Sequence, residues 1–175
     1  MQRLVDEAAI QQRVRELGEQ LSDVYRDRPL TVVGVLTGCM LFLADLVRVI
    51  DVPHRIGVVH ASSYRGKTTT AGDLRVDTNL LPDIRDRDVL IIDDIFDTGK
   101  TIEKLVESLK AFKPRSIRTA VLLVKKGRSE VEIAPDFHCF EIPDAFVIGY
   151  GLDYNDDYRH LPFIGILDDP DASAT

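Results

Sequence analysis

The stretch Val89 to Thr101, VLIIDDIFDTGKT, constrains the fold more than any other part of the chain. An unbroken hydrophobic run ends in two adjacent carboxylates, Asp93 and Asp94, and Gly99 then opens an amphipathic helix with Ile102, Leu105, Val106 and Leu109 on one face. A strand that is apolar on both faces must be covered on both sides, which is the situation in a parallel sheet layered between helices.

The rest of the chain follows the same grammar. Residues 7–25 place Ile10, Val14, Leu17, Leu21 and Val24 at helical spacing. TVVGVL at 31–36 reads as a buried strand, CMLFLADLVRVI at 39–50 as a mostly buried helix, and HRIGVVHASSY at 54–64 as a second strand. Residues 65–73, RGKTTTAGD, carry no large apolar side chain and read as a flexible loop, after which DLRVDTNL resumes a short strand. RDVLIID at 87–93 is the strongest strand, DIFDTG a turn, KTIEKLVESLKAF a helix closed by Pro114, and SIRTAVLLV at 116–124 another buried strand. FHCFEIP, FVIGYG and LPFIGIL give short strands between turns, and DDPDASAT a frayed tail. The expected class is α/β: a mostly parallel central sheet flanked by helices, formed by one domain over residues 1–175.

Composition removes other classes. With 22 Lys and Arg against 29 Asp and Glu, the net charge of −7 argues against sequence-blind nucleic-acid binding, which relies on clustered cations. No apolar run is long enough to cross a bilayer and no signal-peptide core opens the chain, so a cytoplasmic location is expected, with no membrane partner. Two cysteines, Cys39 and Cys139, make neither a disulfide framework nor a thiolate zinc site and read as small core residues. The four histidines show no metal spacing.

The chemistry is expected where strands end at their carboxyl termini. A helix start offers free backbone N–H groups and a positive dipole end, Gly99 lets an anion approach the main chain, and Thr98 and Thr101 add hydroxyl donors. This pattern points to a phosphate at residues 97–101. The Asp93–Asp94 pair suits a hard divalent cation or a vicinal diol. The letters GKT do not make a Walker P-loop, because Asp94 stands where that motif needs its first glycine. The simpler alternative makes Asp97 and Thr98 helix caps and the acidic pair solvated turn residues.

VLIIDDIFDTGKTI resembles the phosphoribosyl diphosphate (PRPP) signature of the type I phosphoribosyltransferases. LLVKK at 122–126 and PDFHCFEIPDAFVIGYGLDYNDDYRHLPFIGIL at 135–167 resemble the purine-binding half of the hypoxanthine phosphoribosyltransferases. SSYRGKTTTAGDLRV is similar to the family's mobile loop, and VVGVLTGCMLFLADL to its pyrophosphate-contacting loop and following helix. The resemblance runs from about residue 30 to residue 167.

It implies the type I fold, with a core at about 30–130 and a small hood from the N-terminal segment and about 135–170. It also implies transfer of phosphoribose from PRPP to hypoxanthine, and guanine, in purine salvage. Asp93, Asp94, Asp97, Thr98, Gly99, Lys100 and Thr101 would hold PRPP, with Asp97 as the general base that takes the purine proton. Thr37, Gly38 and Arg159 would contact pyrophosphate, and Ser63 and Tyr64 would begin the lid. Lys125 would donate to the purine 6-oxo group, Phe146 stack on the base, and Val147 meet its edge. Asp153 would belong to the purine-binding set and hold a second magnesium near pyrophosphate. Mg2+ is the implied cofactor, with Asp93, Asp94 and Asp153 as its carboxylates, and a homodimer or homotetramer is the implied assembly. A xanthine-preferring transferase and a nucleotide- or RNA-binding regulator on the same fold are the alternatives. Asp93 stands where this branch usually has Glu, Thr37 where several relatives carry Lys, and Gly127 where many have Pro or a longer segment.

Overall fold

Asp6 begins the first helix. Its carboxylate accepts from the Ala9 amide at 2.8 Å, and α1 runs over Glu7–Val24 with Ile10, Val14, Leu17 and Leu21 buried along one face. The computed structural model describes residues 1–63 and 74–167. After α1 come β2 (Leu30–Leu36), α2 (Met40–Val49), β3 (His54–Ser63), β4 (Leu74–Asp77), β5 (Asp88–Phe96), α3 (Lys100–Lys110), β6 (Ser116–Lys125) and β7 (Phe137–Ile142). These strands form one sheet in the order β4-β3-β2-β5-β6-β7. All its pairings are parallel except the antiparallel edge pair β3–β4.

The continuous hydrophobic run of β5 has a simple cause. Leu90 and Ile92 pack with α1 and α2 on one face of the sheet, while Val89 and Ile91 pack with Ile102, Leu105 and Leu109 of α3 on the other. Both faces are covered, so neither set of alternate residues can be polar.

Two expectations are corrected. β5 does not stop at Asp93: Asp93, Ile95 and Phe96 still pair with Val121, Leu123 and Val124 of β6. The acidic pair therefore belongs to the strand, and the turn before α3 is shorter than DIFDTG. β7, which the sequence reading grouped with the hood, is an edge strand of the central sheet. The N-terminal segment, expected in the hood but given no strand of its own, forms β1 (Gln2–Val5), which pairs antiparallel with β9 (Ile164–Ile166).

β9 also pairs antiparallel with β8 (Val147–Ile148), giving a second, three-stranded sheet in the order β1-β9-β8. The Arg3 guanidinium lies 4.2 Å from the ring centre of Phe163 beside it. Tyr150, just beyond β8, donates its hydroxyl to Asp45 of α2 at 2.7 Å. That bond fastens the small sheet to the main body. Tyr64, the expected loop at 65–73 and the expected tail at 168–175 lie outside the described residues.

Candidate active site

The carboxyl ends of β2 and β5, each followed by a helix, meet at one cavity. It encloses about 260 Å³ and is lined by Gly38, Asp93, Asp94, Asp97, Thr98, Gly99 and Thr101, among others. The two helices that start here are built differently from α1. Neither α2, which begins after Cys39, nor α3, which begins after Gly99, has a side-chain cap. The Asp97 and Thr98 side chains thus do not cap α3, and its first turn starts without a side-chain hydrogen bond at the cavity edge. Gly99 adopts φ +85°, and a Cβ there would fall 2.4 Å from Val131 Cγ2, so both conformation and space call for glycine. The Leu36–Thr37 peptide is cis.

Asp93 is buried, and its Oδ1 accepts from the Asp94 amide at 2.9 Å. Burial lifts both carboxyls above the ordinary carboxylate range, and the charge of Asp94 lifts Asp93 further. Two such groups side by side are short of positive charge. Gly38 lies against Asp94, and Gly151, at φ +99°, lies against the Gly38 carbonyl. Arg159 donates to the Gly151 carbonyl at 2.7 Å and pairs with Asp153 at 2.9 Å. Asp153 and Arg159 are thereby joined directly to each other. Among the described residues no three His, Cys, Asp or Glu side chains converge as a single metal-holding group.

Asp97 stands in an ion-pair cluster. Its Oδ2 is 3.2 Å from Lys125 Nζ, and its Oδ1 accepts from Arg128 Nε at 2.9 Å. Asp144 closes the cluster, 3.7 Å from Lys125 Nζ and 3.7 Å from Arg128 Nη1. Burial raises the Asp97 pKa, but the bonds from Arg128 and Lys125 outweigh it, and the net shift is downward. Asp97 is a carboxylate at neutral pH. Lys125 is held at the end of β6 with its side chain only 13% exposed, so it is not a solvated strand end.

The remaining expected residues divide. Lys100 pairs its ammonium with Glu130, which leaves its main-chain amide as its contribution to the helix start. Val147 is buried in β8. Phe146 is not core: it is 42% exposed and meets Tyr154 edge-on at 5.5 Å. Ser63 ends β3 opposite Leu74 of β4. Cys39 and Cys139 are free and buried, as expected of small core residues. Sequence reasoning missed Arg128, Glu130 and Asp144; the local signal for the first two is the charged run KKGRSE after a buried strand, and for Asp144 its place in EIPDAF.

The sequence matches the phosphoribosyl transferase domain family over residues 2–155. The chain belongs to that family. This phosphoribosyltransferase is 43% identical over 164 residues to the hypoxanthine phosphoribosyltransferase of Salmonella typhimurium, covering 93% of this chain and 92% of the relative. It is 42% identical over 164 residues to the hypoxanthine-guanine phosphoribosyltransferase of Bacillus subtilis, covering 94% and 91%. The crystal structure of a hypoxanthine phosphoribosyltransferase from Staphylococcus aureus superposes with a TM-score of 0.91 at 39% identity, covering 100% of this chain and 95% of that one. The expected fold, a mostly parallel α/β sheet of the type I transferases, is thus the observed one.

Proposed function

We propose that this transferase serves purine salvage, moving the 5-phosphoribosyl group of PRPP onto hypoxanthine and guanine and releasing pyrophosphate. The observation that carries this reading is the 3.2 Å approach of Lys125 to Asp97 at the ends of adjacent strands, beside an uncapped helix start. One group can donate to a 6-oxo oxygen while the other accepts a proton from the same base. Adenine, whose 6-amino group cannot accept that bond, is rejected.

The amides at 98–101 hold the 5′-phosphate, because a helix start supplies oriented N–H donors. Asp93 and Asp94 face the ribose hydroxyls. As the purine nitrogen bonds to the anomeric carbon, the bond to pyrophosphate breaks with its electron pair leaving on oxygen, and the purine proton passes to Asp97. Arg159 and the main chain at Thr37 and Gly38 receive the pyrophosphate.

Magnesium fits this donor set. A buried and a half-buried carboxylate, side by side, favour a hard dication, and Mg2+ takes one or two carboxylates together with substrate oxygens. Asp93 and Asp94 would hold one ion and Asp153 a second. When bound, magnesium supplies positive charge to the leaving pyrophosphate. A lid beginning at Ser63 and Tyr64, a hood carrying Phe146 and Val147, a homodimer or homotetramer, and a cytoplasmic location complete the reading.

The test is a kinetic comparison of hypoxanthine, guanine, xanthine and adenine with PRPP and magnesium. Hypoxanthine and guanine should turn over fastest. A preference for xanthine favours the alternative transferase, and no turnover of any 6-oxopurine favours the regulator.

A further inference from the structure

Each oxygen of the carboxylate assigned to proton transfer already faces a cation. Asp97 Oδ1 accepts from Arg128 Nε at 2.9 Å, and Oδ2 lies 3.2 Å from Lys125 Nζ. A purine N–H seeking Asp97 must share an oxygen with one of these cations or displace it. Arg128, however, has a second acceptor within reach: its Nη1 lies 3.7 Å from Asp144 Oδ2. Asp144 stands two residues before Phe146 and also faces Lys125 at 3.7 Å. Beyond it, Glu130 adds charge beside Arg128 and is itself paired with Lys100. Among the described residues, these are the charged groups that face Asp97 and Arg128 from β6, the turn after β6 and the segment before β8.

We propose that Arg128 is a positioning residue that occupies Asp97 Oδ1 in the free protein and transfers to Asp144 when a 6-oxopurine N–H takes that oxygen. The proposal rests on the functional reading above. Gly127 makes the movement cheap, since it turns at φ +71° with open space around it, and the Arg128 side chain is 44% exposed. A guanidinium suits the task because its fork can leave one carboxylate for another without losing all its hydrogen bonds. Two consequences distinguish this role from mere support of the turn. While seated, Arg128 keeps Asp97 ionised in the absence of substrate. Its exit couples arrival of the base to the segment that bears the stacking ring.

The test uses the full chain and the variants Arg128→Gln, Arg128→Lys and Asp144→Asn. In Arg128→Gln the Asp97 carboxyl, followed by carbon NMR without substrate, should titrate at higher pH, and the acid limb of kcat/KM for hypoxanthine should move the same way. At the acidic end of the profile the loss should be roughly threefold or more. Arg128→Lys should restore the wild-type limb. Asp144→Asn should raise the KM for hypoxanthine roughly threefold while leaving that for PRPP within about twofold, and this effect should vanish in the Arg128→Gln background.

Superimposed titrations of wild type and Arg128→Gln would overturn the proposal, as would an Asp144→Asn effect that persists without Arg128. If Arg128→Gln does not fold, Arg128→Lys and Asp144→Asn decide it. Arg128→Lys must then keep the wild-type acid limb, and Asp144→Asn must raise the hypoxanthine KM alone; failure of either overturns it. Wild-type protein that turns over no 6-oxopurine refutes the functional reading instead, and the NMR titration still judges whether Arg128 governs Asp97.

Discussion

Gly38 leaves room for the carboxylate of Asp94: a methyl group at residue 38 would fall 1.7 Å from Asp94 Oδ2 and 2.7 Å from its Cγ. The loop after β2 and the acidic end of β5 are therefore fitted to each other through the absence of one side chain. Gly38→Ala should force the Asp94 carboxylate to rotate. The expected result is a roughly tenfold weaker PRPP affinity, about 1.4 kcal/mol, with little change in Tm. Calorimetric titration with PRPP and magnesium measures it, and unchanged affinity would mean that the placement of Asp94 is immaterial to that substrate.

Asp97→Asn keeps the size of the side chain and removes its capacity to accept a proton. Turnover should fall by about 10²–10⁴-fold, the usual span for loss of a general base. PRPP binding should persist, because the amides at 98–101 are untouched. An unchanged rate would remove Asp97 from proton transfer.

Lys125→Ala should act on the base. Its ammonium lies between Asp97 and Asp144, and its ion pairs are to these two carboxylates rather than to the amides at 98–101 that would hold the phosphate. The KM for hypoxanthine should rise roughly tenfold, and that for PRPP should stay within about threefold. Equal losses would show that Lys125 does not discriminate between the two substrates.

The acidic pair should cost stability. Burial first, and then the charge of Asp94, holds Asp93 above its unfolded-state pKa. An acid raised in the folded state binds protons more tightly there than in the unfolded chain. Its ionisation destabilises the fold above the folded pKa, and the cost fades as pH falls through that value. In chelator, Asp93→Asn should therefore melt higher than wild type at pH 8. At this chain length the gain is about 2–4 °C for each kcal/mol relieved, and it should shrink toward acid pH while activity is lost. Melting curves across pH check this, and a gap that does not vary with pH would refute it.

Legibility from sequence tracked how local each cause was. The amphipathic period of α1 and the buried run of β6 depend on neighbours within one element, and the sequence predicts them close to their observed bounds. β1 was missed because four residues carry too little pattern, and its partner β9 lies at the far end of the chain. β5 was cut short because an aspartate pair reads as a turn. Only its continued pairing with β6 reveals Asp93 as a buried strand residue.

The candidate site divides in the same way. By itself the amino-acid order determined the strand, the acidic pair and the glycine that opens α3, because turn chemistry and hydrophobic patterning act between near neighbours. It also carried the resemblance that names Lys125, Phe146 and Arg159. Tertiary structure alone decided that Arg128, 31 residues from Asp97, would share its carboxylate, and that Asp144 would stand ready beside them both. Such contacts arise from parallel strand pairing and the path of a turn. A charge that looks solvated in the chain becomes part of the site only when the sheet brings two strand ends together.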